Sequence, residues 1–342
     1  MTVPAQSGAV SLARQFTSDM KLRRGILPGI LAAVLVIALS SGILFRTSWR
    51  FQRIVSGFVT GEARDMRRLD VEPKRVQIPG PSRLVTDYYP GSDKRELVLL
   101  VHGSDPKGRR SALNRLLAAY LQQSGLSVLA LDLSGFNESD DPELPFASPP
   151  PFVQNVTAAA TYAIESGIAR RGGIVYVGHS LGAGVVLMAA GCEPRPAAVI
   201  ALGAPATEGL KHGDRLDDFA LQRFRDMGIV PDGVSLSVMK EYLLQLDVVR
   251  LFEQGNLSDV LLVYGERERP AERVFEAIRE TSQRSRIHIA ESADHYYCVT
   301  DALLGWIFYD RTVIEDLTRV IVSWAAARNS PPDELSRQWR QH

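Results

Sequence analysis

The sequence lacks the features that several common classes of protein require. Two cysteines, Cys192 and Cys298, are present in 342 residues, so no disulfide framework is predicted. The formal net charge at pH 7 is zero and no basic stripe occurs, which argues against a nucleic-acid partner. His-x-x-x-His, Cys-x-x-Cys and phosphate-loop motifs are also missing. We therefore predict no metal ion and no cofactor.

Charged residues are absent from one long stretch near the N-terminus, Gly25–Phe45. At the rise of a helix this stretch crosses a hydrocarbon core of about 30 Å, so we predict a transmembrane helix over 25–45 after a polar tail, 1–24. A cleaved signal peptide is the alternative. The basic cluster at Lys21, Arg23 and Arg24 favours an N-terminus in the cytoplasm and an extracytoplasmic position for the rest of this single-pass chain.

Apolar strand patterns alternate with helical patterns from about residue 76. The continuous apolar run within Glu96–Val101 is typical of a strand buried on both faces. Strands are predicted over 76–78, 84–89, 96–101, 127–131, 174–177, 197–202, 260–264 and 287–290, and helices over 110–123, 152–168, 181–190, 271–282, 299–309 and 313–327. This order predicts an α/β fold whose mostly parallel central sheet is flanked by helices.

Four further segments complete the predicted organisation. Residues 46–75 are a juxtamembrane linker or a helix with an aromatic side at the headgroups. Residues 76–328 form the globular domain, and 329–342 form a polar tail. Within the domain, 207–258 is predicted to be a helical cap over the carboxyl ends of the strands, where such sheets bind ligands. A peripheral helical pair is the alternative, and the apolar stripe near residue 250 also fits a helix that faces the core.

The most informative motif lies within Ile174–Gly184, where a short strand leads through Gly-x-Ser-x-Gly into an apolar helix. This context predicts a nucleophile elbow, with Ser180 exposed on a sharp turn. Gly178 and Gly182 are expected because a Cβ atom at either position would collide with the neighbouring strand and helix. The helix that follows would direct its N-terminal N–H groups towards developing negative charge.

Together with three other segments, this motif resembles the α/β-hydrolase superfamily. In the order of that family, the segments are Val101-His102-Gly103-Ser104, Asp132–Asp140 with its Asp-x-x-Gly-x-x-x-Ser-Asp pattern, Gly178–Gly182, and Asp294-His295. The resemblance covers about residues 76–327 and is greatest to lysophospholipase-like and monoacylglycerol-lipase-like hydrolases. It implies an α/β-hydrolase domain at 76–328.

A serine nucleophile needs a base within hydrogen-bond reach. His295 is the predicted base of Ser180, because it follows the last strand and the fold uses the chain order serine, acid, histidine. The remaining histidines are predicted to be structural, with His102 shaping the oxyanion loop. They are His102, His179, His212, His288 and His342.

The third member of the triad is predicted just after the strand at 260–264. The resemblance places it three residues after the glycine, at Glu268, where the family usually has aspartate. Glutamate is an accepted variant. Glu266 and Asp294 are the alternative acids.

These residues predict a membrane-anchored serine hydrolase that cleaves carboxylic esters of lipid-like or acylated small substrates through an acyl-enzyme. The oxyanion hole would be formed by the backbone N–H groups of Leu181 and Ser104. An amidase, a peptidase or an acyltransferase would use the same triad, and a catalytically inactive membrane-tethered scaffold is a further alternative. The sequence leaves the substrate and the oligomeric state open.

Overall fold

The structure of the protein is a computed structural model. The described residues are 65–69, 71–80, 82–142, 151–206, 244–255, 257, 259–268, 272–282, 284–301 and 306–327. The predicted transmembrane helix at 25–45, both polar tails and residues 207–243 of the predicted cap lie outside them. No helix within the described part is long and apolar enough to span a membrane.

The described strands form two sheets. In chain order they are β1 Asp65–Arg68, β2 Lys74–Ile78, β3 Leu84–Tyr89, β4 Asp93–Val101, β5 Leu126–Leu131, β6 Ile174–His179, β7 Ala198–Leu202, β8 Val260–Gly265, β9 Arg286–Ala290, β10 Thr300–Asp301 and β11 Trp306–Tyr309. The larger sheet has the order β2-β3-β5-β4-β6-β7-β8-β9. β3 pairs antiparallel with β2 and with β5. All neighbouring pairs in the series β5-β4-β6-β7-β8-β9 are parallel. The predicted α/β fold with a mostly parallel central sheet is therefore confirmed.

Helices cover both faces of this sheet. They are α1 Ala112–Gln123, α2 Pro151–Glu165, α3 Leu181–Ala189, α4 Val248–Glu253, α5 Glu272–Thr281 and α6 Arg311–Ala327. One apolar core contains side chains of α2, α3, α4 and α5, and the other contains side chains of α1 and α6. In β4, Leu99 faces the first core and Leu100 faces the second. Because alternate side chains point to opposite faces, a strand between two cores must be apolar at successive positions.

The predicted helix over 299–309 is wrong, because these residues contain β10 and β11. The two strands pair antiparallel, and β11 also pairs antiparallel with β1. Ile307 and Tyr309 are buried on one side of β11, whereas Trp306 and Phe308 on the other side are half-buried. This period of two belongs to a strand. Since β1 falls within the predicted linker at 46–75, the folded unit begins before residue 76.

The described end of the predicted cap packs into the domain core. Leu246, Val248, Val249, Leu251 and Phe252 are buried beside α3 and α5. A Cβ atom on Gly184 of α3 would lie 2.8 Å from the carbonyl oxygen of Leu246, so the backbones approach closely there. Over residues 246–252, the apolar stripe therefore belongs to a segment that faces the core.

Candidate active site

Ser180 lies between β6 and α3 in a backbone conformation that non-glycine residues rarely adopt, with φ 53° and ψ −116°. The flanking glycines make this turn possible. A Cβ atom on Gly178 would lie 2.2 Å from the carbonyl oxygen of Gly182, and one on Gly182 would lie 2.4 Å from that of His102. The turn therefore holds the Ser180 side chain at the carboxyl edge of the sheet.

His295 lies on the loop that follows β9, opposite Ser180. Its Nε2 atom is 3.0 Å from Ser180 Oγ, and its Nδ1 atom is 2.6 Å from Glu268 Oε1. A carboxylate only accepts hydrogen bonds, so Nδ1 donates its proton to Glu268 and Nε2 accepts from the serine hydroxyl. This tautomer allows His295 to remove the serine proton.

Glu268 is the carboxylate that the structure places against His295. It ends a short 3-10 helix after β8 and is half-buried, whereas Glu266 in the same turn is exposed. The Glu266 carboxylate accepts a hydrogen bond of 2.8 Å from the backbone N–H of Ser292. Asp294 accepts from two backbone N–H groups of its own turn, at 2.9 and 3.1 Å. The structure therefore brings Ser180, His295 and Glu268 together and directs the two alternative acids to backbone groups.

The second oxygen of Glu268 lies in a closely packed environment. Oε2 is buried and has no hydrogen-bond partner among the described residues. Tyr264 and Tyr297 are buried nearby, but their hydroxyl groups donate to the carbonyl oxygens of Ala204 and Val263, at 3.1 and 2.8 Å. Burial raises the pKa of both tyrosines, and the charge of Glu268 raises it further. Both phenols therefore stay neutral.

Gly203 is a site residue that the sequence analysis missed. It follows β7 directly and has φ +58°. A Cβ atom there would lie 3.0 Å from His295 Nδ1 and 3.2 Å from Glu268 Oε2. The absence of a side chain thus leaves space for the histidine–carboxylate pair. The available signal was a glycine directly after the predicted strand at 197–202, on the edge where parallel strands place ligand sites.

The loop after β4, where the sequence predicts part of the oxyanion hole, passes beside Ser180. A Cβ atom on Gly103 would lie 3.1 Å from Ser180 Cβ, so this glycine contacts the elbow, and Ser104 is the next residue in the chain. Leu181 is the first residue of α3. The two predicted oxyanion-hole residues, Leu181 and Ser104, thus directly follow Ser180 and Gly103 in the chain.

His102 fixes the beginning of this loop. It is fully buried, its Nδ1 atom donates to the carbonyl oxygen of Gly103 at 2.6 Å, and its Nε2 atom accepts from the backbone N–H of Leu133 at 3.0 Å. Burial lowers the pKa of His102, so the ring stays neutral. Both ring nitrogens are engaged with the backbone, which gives this histidine a structural role.

These motifs and this fold agree with the comparison to known families. A profile of the alpha/beta hydrolase family matches residues 98–331. The chain belongs to the alpha/beta hydrolase family. No curated protein matches its sequence.

Several solved structures share the fold of this hydrolase. An esterase from Pyrococcus furiosus has 16% identity and a TM-score of 0.50, over 74% of this chain and 90% of the esterase. The alpha/beta hydrolase GrgF from a Penicillium species has 16% identity and a TM-score of 0.52, over 75% and 99% of the two chains. A proline iminopeptidase from Mycobacterium smegmatis has 12% identity and a TM-score of 0.50, over 75% and 98%. At these identities the likeness shows the fold alone.

A buried ionic cluster fixes the far end of the oxyanion loop in this hydrolase. The guanidinium group of Arg109 is fully buried and pairs with Asp87 at 3.0 Å, with Glu138 at 2.6 Å and with Asp132. Asp132 also accepts from the backbone N–H of Arg109 at 2.7 Å and from Asn137 Nδ2 at 2.9 Å. The hydrogen bond from Arg109 holds the pKa of Glu138 below its usual value. The loop is thus attached to the segment after β5 at both ends.

The remaining histidines fall into three groups. His288 Nε2 lies 2.8 Å from Asp316 Oδ2, in a pair between β9 and α6. His179 Nε2 lies 2.7 Å from the backbone carbonyl oxygen of His295. His212 and His342 lie outside the described residues. Within the described part of the chain, no group of three or more His, Cys, Asp or Glu side chains is arranged to hold a metal ion.

Proposed function

We propose that this hydrolase cleaves carboxylic esters through a covalent acyl-enzyme on Ser180. The observation that supports this proposal is the hydrogen-bonded chain from Ser180 Oγ through the His295 ring to Glu268 Oε1. A serine hydroxyl at its ordinary pKa is a weak nucleophile, and a base at 3.0 Å can remove its proton as it attacks. The carboxylate at Nδ1 stabilises the imidazolium ion that forms.

In the first half of the reaction, Ser180 Oγ forms a bond to the ester carbonyl carbon while its proton passes to His295 Nε2. The backbone N–H groups of Leu181 and Ser104 donate to the resulting oxyanion. The carbon–oxygen bond to the alcohol then breaks, and His295 returns the proton to the departing alcohol oxygen. Ser180 is left as an acyl ester.

In the second half, a water molecule takes the place of the alcohol. His295 Nε2 removes a proton from the water as its oxygen attacks the acyl carbon. The tetrahedral intermediate collapses, the proton returns to Ser180 Oγ, and the carboxylic acid leaves. His295 thus acts first as a base and then as an acid in each half-reaction.

We further propose that the substrate is lipid-like or an acylated small molecule, and that residues 25–45 anchor the enzyme in a membrane with the hydrolase domain outside the cytoplasm. Two observations support this substrate class: the uncharged stretch Gly25–Phe45, and the resemblance of the motifs to lysophospholipase-like and monoacylglycerol-lipase-like hydrolases. An anchor would keep the site close to substrates that partition into the bilayer.

The test is labelling of the full chain in detergent with a fluorophosphonate probe, which reacts with activated serines. We expect the wild type to label and Ser180→Ala and His295→Ala to show no labelling. Hydrolysis of p-nitrophenyl esters with short, medium and long acyl chains would then report the acyl preference. A folded wild type that neither labels nor hydrolyses any ester, in detergent or in vesicles, would overturn the proposal.

A further inference from the structure

The residue before the nucleophile, His179, connects Ser180 to the loop that carries the base. His179 ends β6, and its side chain is buried, with 5% of its surface exposed. Its Nε2 atom lies 2.7 Å from the backbone carbonyl oxygen of His295. A carbonyl oxygen only accepts, so Nε2 carries a proton and donates it. The hydrogen bond therefore holds the backbone of the base itself.

The loop of His295 needs such external contacts. Ser292, Tyr297 and Cys298 all have positive φ, at 57°, 52° and 57°. Each non-glycine residue in this region costs about 1–3 kcal/mol, and it persists only where surrounding contacts fix it. Several contacts join the loop to β8 and the turn after it, including the hydrogen bond from Tyr297 to Val263. His179 supplies a contact from the strand of the nucleophile.

The ring of His179 also contacts both the loop of His295 and the predicted oxyanion loop. It lies 5.0 Å from the ring of His295 and 5.6 Å from that of Tyr296, measured between centroids. A Cβ atom on Gly103 would lie 2.9 Å from Nδ1 of the same ring, so the loop after β4 also contacts His179. A single rigid ring therefore connects the two loops that must converge on Ser180.

We infer that His179 is a positioning residue that sets the distance between the nucleophile and the base. The connection is short, because His179 and Ser180 are adjacent in the chain and the hydrogen bond ends on the main chain of His295. A misplacement of about 1 Å in an active site costs on the order of 100-fold in rate. The inference rests on the proposed function, because it concerns the geometry of Ser180 and His295.

Two substitutions at position 179 separate hydrogen bonding from space filling. His179→Leu fills the space without a donor, and the amide nitrogen of His179→Gln replaces Nε2. We expect about 10- to 100-fold slower probe labelling and lower kcat for His179→Leu, a KM within about twofold of wild type, and recovery of most of the rate by His179→Gln. His288→Leu is the matched control, because it removes the 2.8 Å hydrogen bond between His288 and Asp316, which lies outside the site. It should label like the wild type.

The outcomes distinguish this inference from the proposed function. A folded wild type that neither labels nor hydrolyses any ester overturns both. A wild type and a His179→Leu variant that label at equal rates overturn the positioning role alone, and so do leucine and glutamine variants with equal losses. Circular dichroism and the thermal midpoint check folding. If His179→Leu does not fold, His179→Asn replaces it, because its shorter amide does not reach the carbonyl oxygen and should lose activity relative to His179→Gln.

Discussion

Asp132 and Glu268 are two carboxylates in similar places with opposite surroundings. Each follows a parallel strand of the central sheet, at the carboxyl edge. The Asp132 oxygens accept from the backbone and side chain of Arg109, from Asn137, and from the backbone of Glu138. Glu268 accepts from His295 through one oxygen, and its other oxygen has no partner within the described residues.

This difference separates a carboxylate that maintains structure from one suited to chemistry. A buried carboxylate whose oxygens accept several hydrogen bonds is held in one position, and its removal leaves buried donors without partners. A carboxylate with one partner directs its field at that partner and can stabilise an imidazolium ion when it forms. We therefore expect substitutions in the Asp132 cluster to lower stability, and substitutions around Glu268 to lower the rate.

The largest expected effect is on the rate of Glu268→Gln. The amide keeps the shape but removes the charge that orients and stabilises the protonated His295, so kcat should fall by about 10³- to 10⁴-fold. The control is Glu266→Gln, which alters an exposed carboxylate that accepts a hydrogen bond from the backbone of Ser292, and its kcat should stay within a few-fold of wild type. Ester hydrolysis measures both. Equal losses in the two variants would contradict the assignment of Glu268.

The next effect is on the stability of Arg109→Leu. Removing the buried guanidinium leaves Asp132 and Asp87 without their cation, which should lower the free energy of unfolding by about 3–5 kcal/mol. Arg284→Ala is the control, because Arg284 and Asp259 form an exposed pair at 3.6 Å whose loss should cost at most about 1 kcal/mol. Chemical denaturation of the full chain in detergent measures the difference. Similar midpoints for both variants would refute a stabilising role for the buried cluster.

A smaller effect on the rate is expected for Gly203→Ala. The added methyl group would crowd His295 Nδ1 and Glu268, so kcat should fall by on the order of 100-fold. Gly172→Ala provides the control, since Gly172 also has a positive φ, +71°, but has nothing within 4 Å of its Cβ position. That variant should keep its kcat and lose about 1–3 kcal/mol of stability from backbone strain alone. A Gly203→Ala enzyme with full activity would show that a methyl group at this position does not displace His295 or Glu268.

The smallest effect is a dependence of stability on pH. Burial lowers the pKa of His102 in the folded protein below its usual 6.5, so the unfolded chain binds more protons as the pH falls through 6.5, and stability falls with it. The hydrogen bond from Arg109 lowers the pKa of Glu138 in the folded protein below its usual 4.5. The stability that ionised Glu138 contributes is therefore present above pH 4.5 and is lost as the pH falls through the folded-state pKa of Glu138.

Thermal midpoints between pH 7 and pH 3.5 test both groups. His102→Gln should flatten the decrease between pH 7 and 5, and Glu138→Gln should flatten it only below about pH 4.5. A wild type whose midpoint does not change over this range would contradict both predictions.

The elements that were predicted correctly are those whose signal is local. β3 was predicted within its observed bounds, and α3 to within one residue at its end. The apolar run at 96–101 identified β4, because a strand between two cores has no polar face. The helix predicted over 299–309 failed because the pairing partner of β11 lies more than 200 residues earlier, in β1. Apolar composition alone does not separate a short buried strand from a helix.

For the site, the sequence by itself determined the residue types and their order along the chain. The elbow glycines follow from sterics within a few residues, which is why the position of Ser180 was predictable. Only the tertiary structure decided that Glu268 and not Glu266 faces His295, that Gly203 leaves room for this pair, and that His179 forms a hydrogen bond to the backbone of His295. These contacts join segments up to 116 residues apart. Their distances depend on how the strands are ordered in the sheet, which local patterns do not encode.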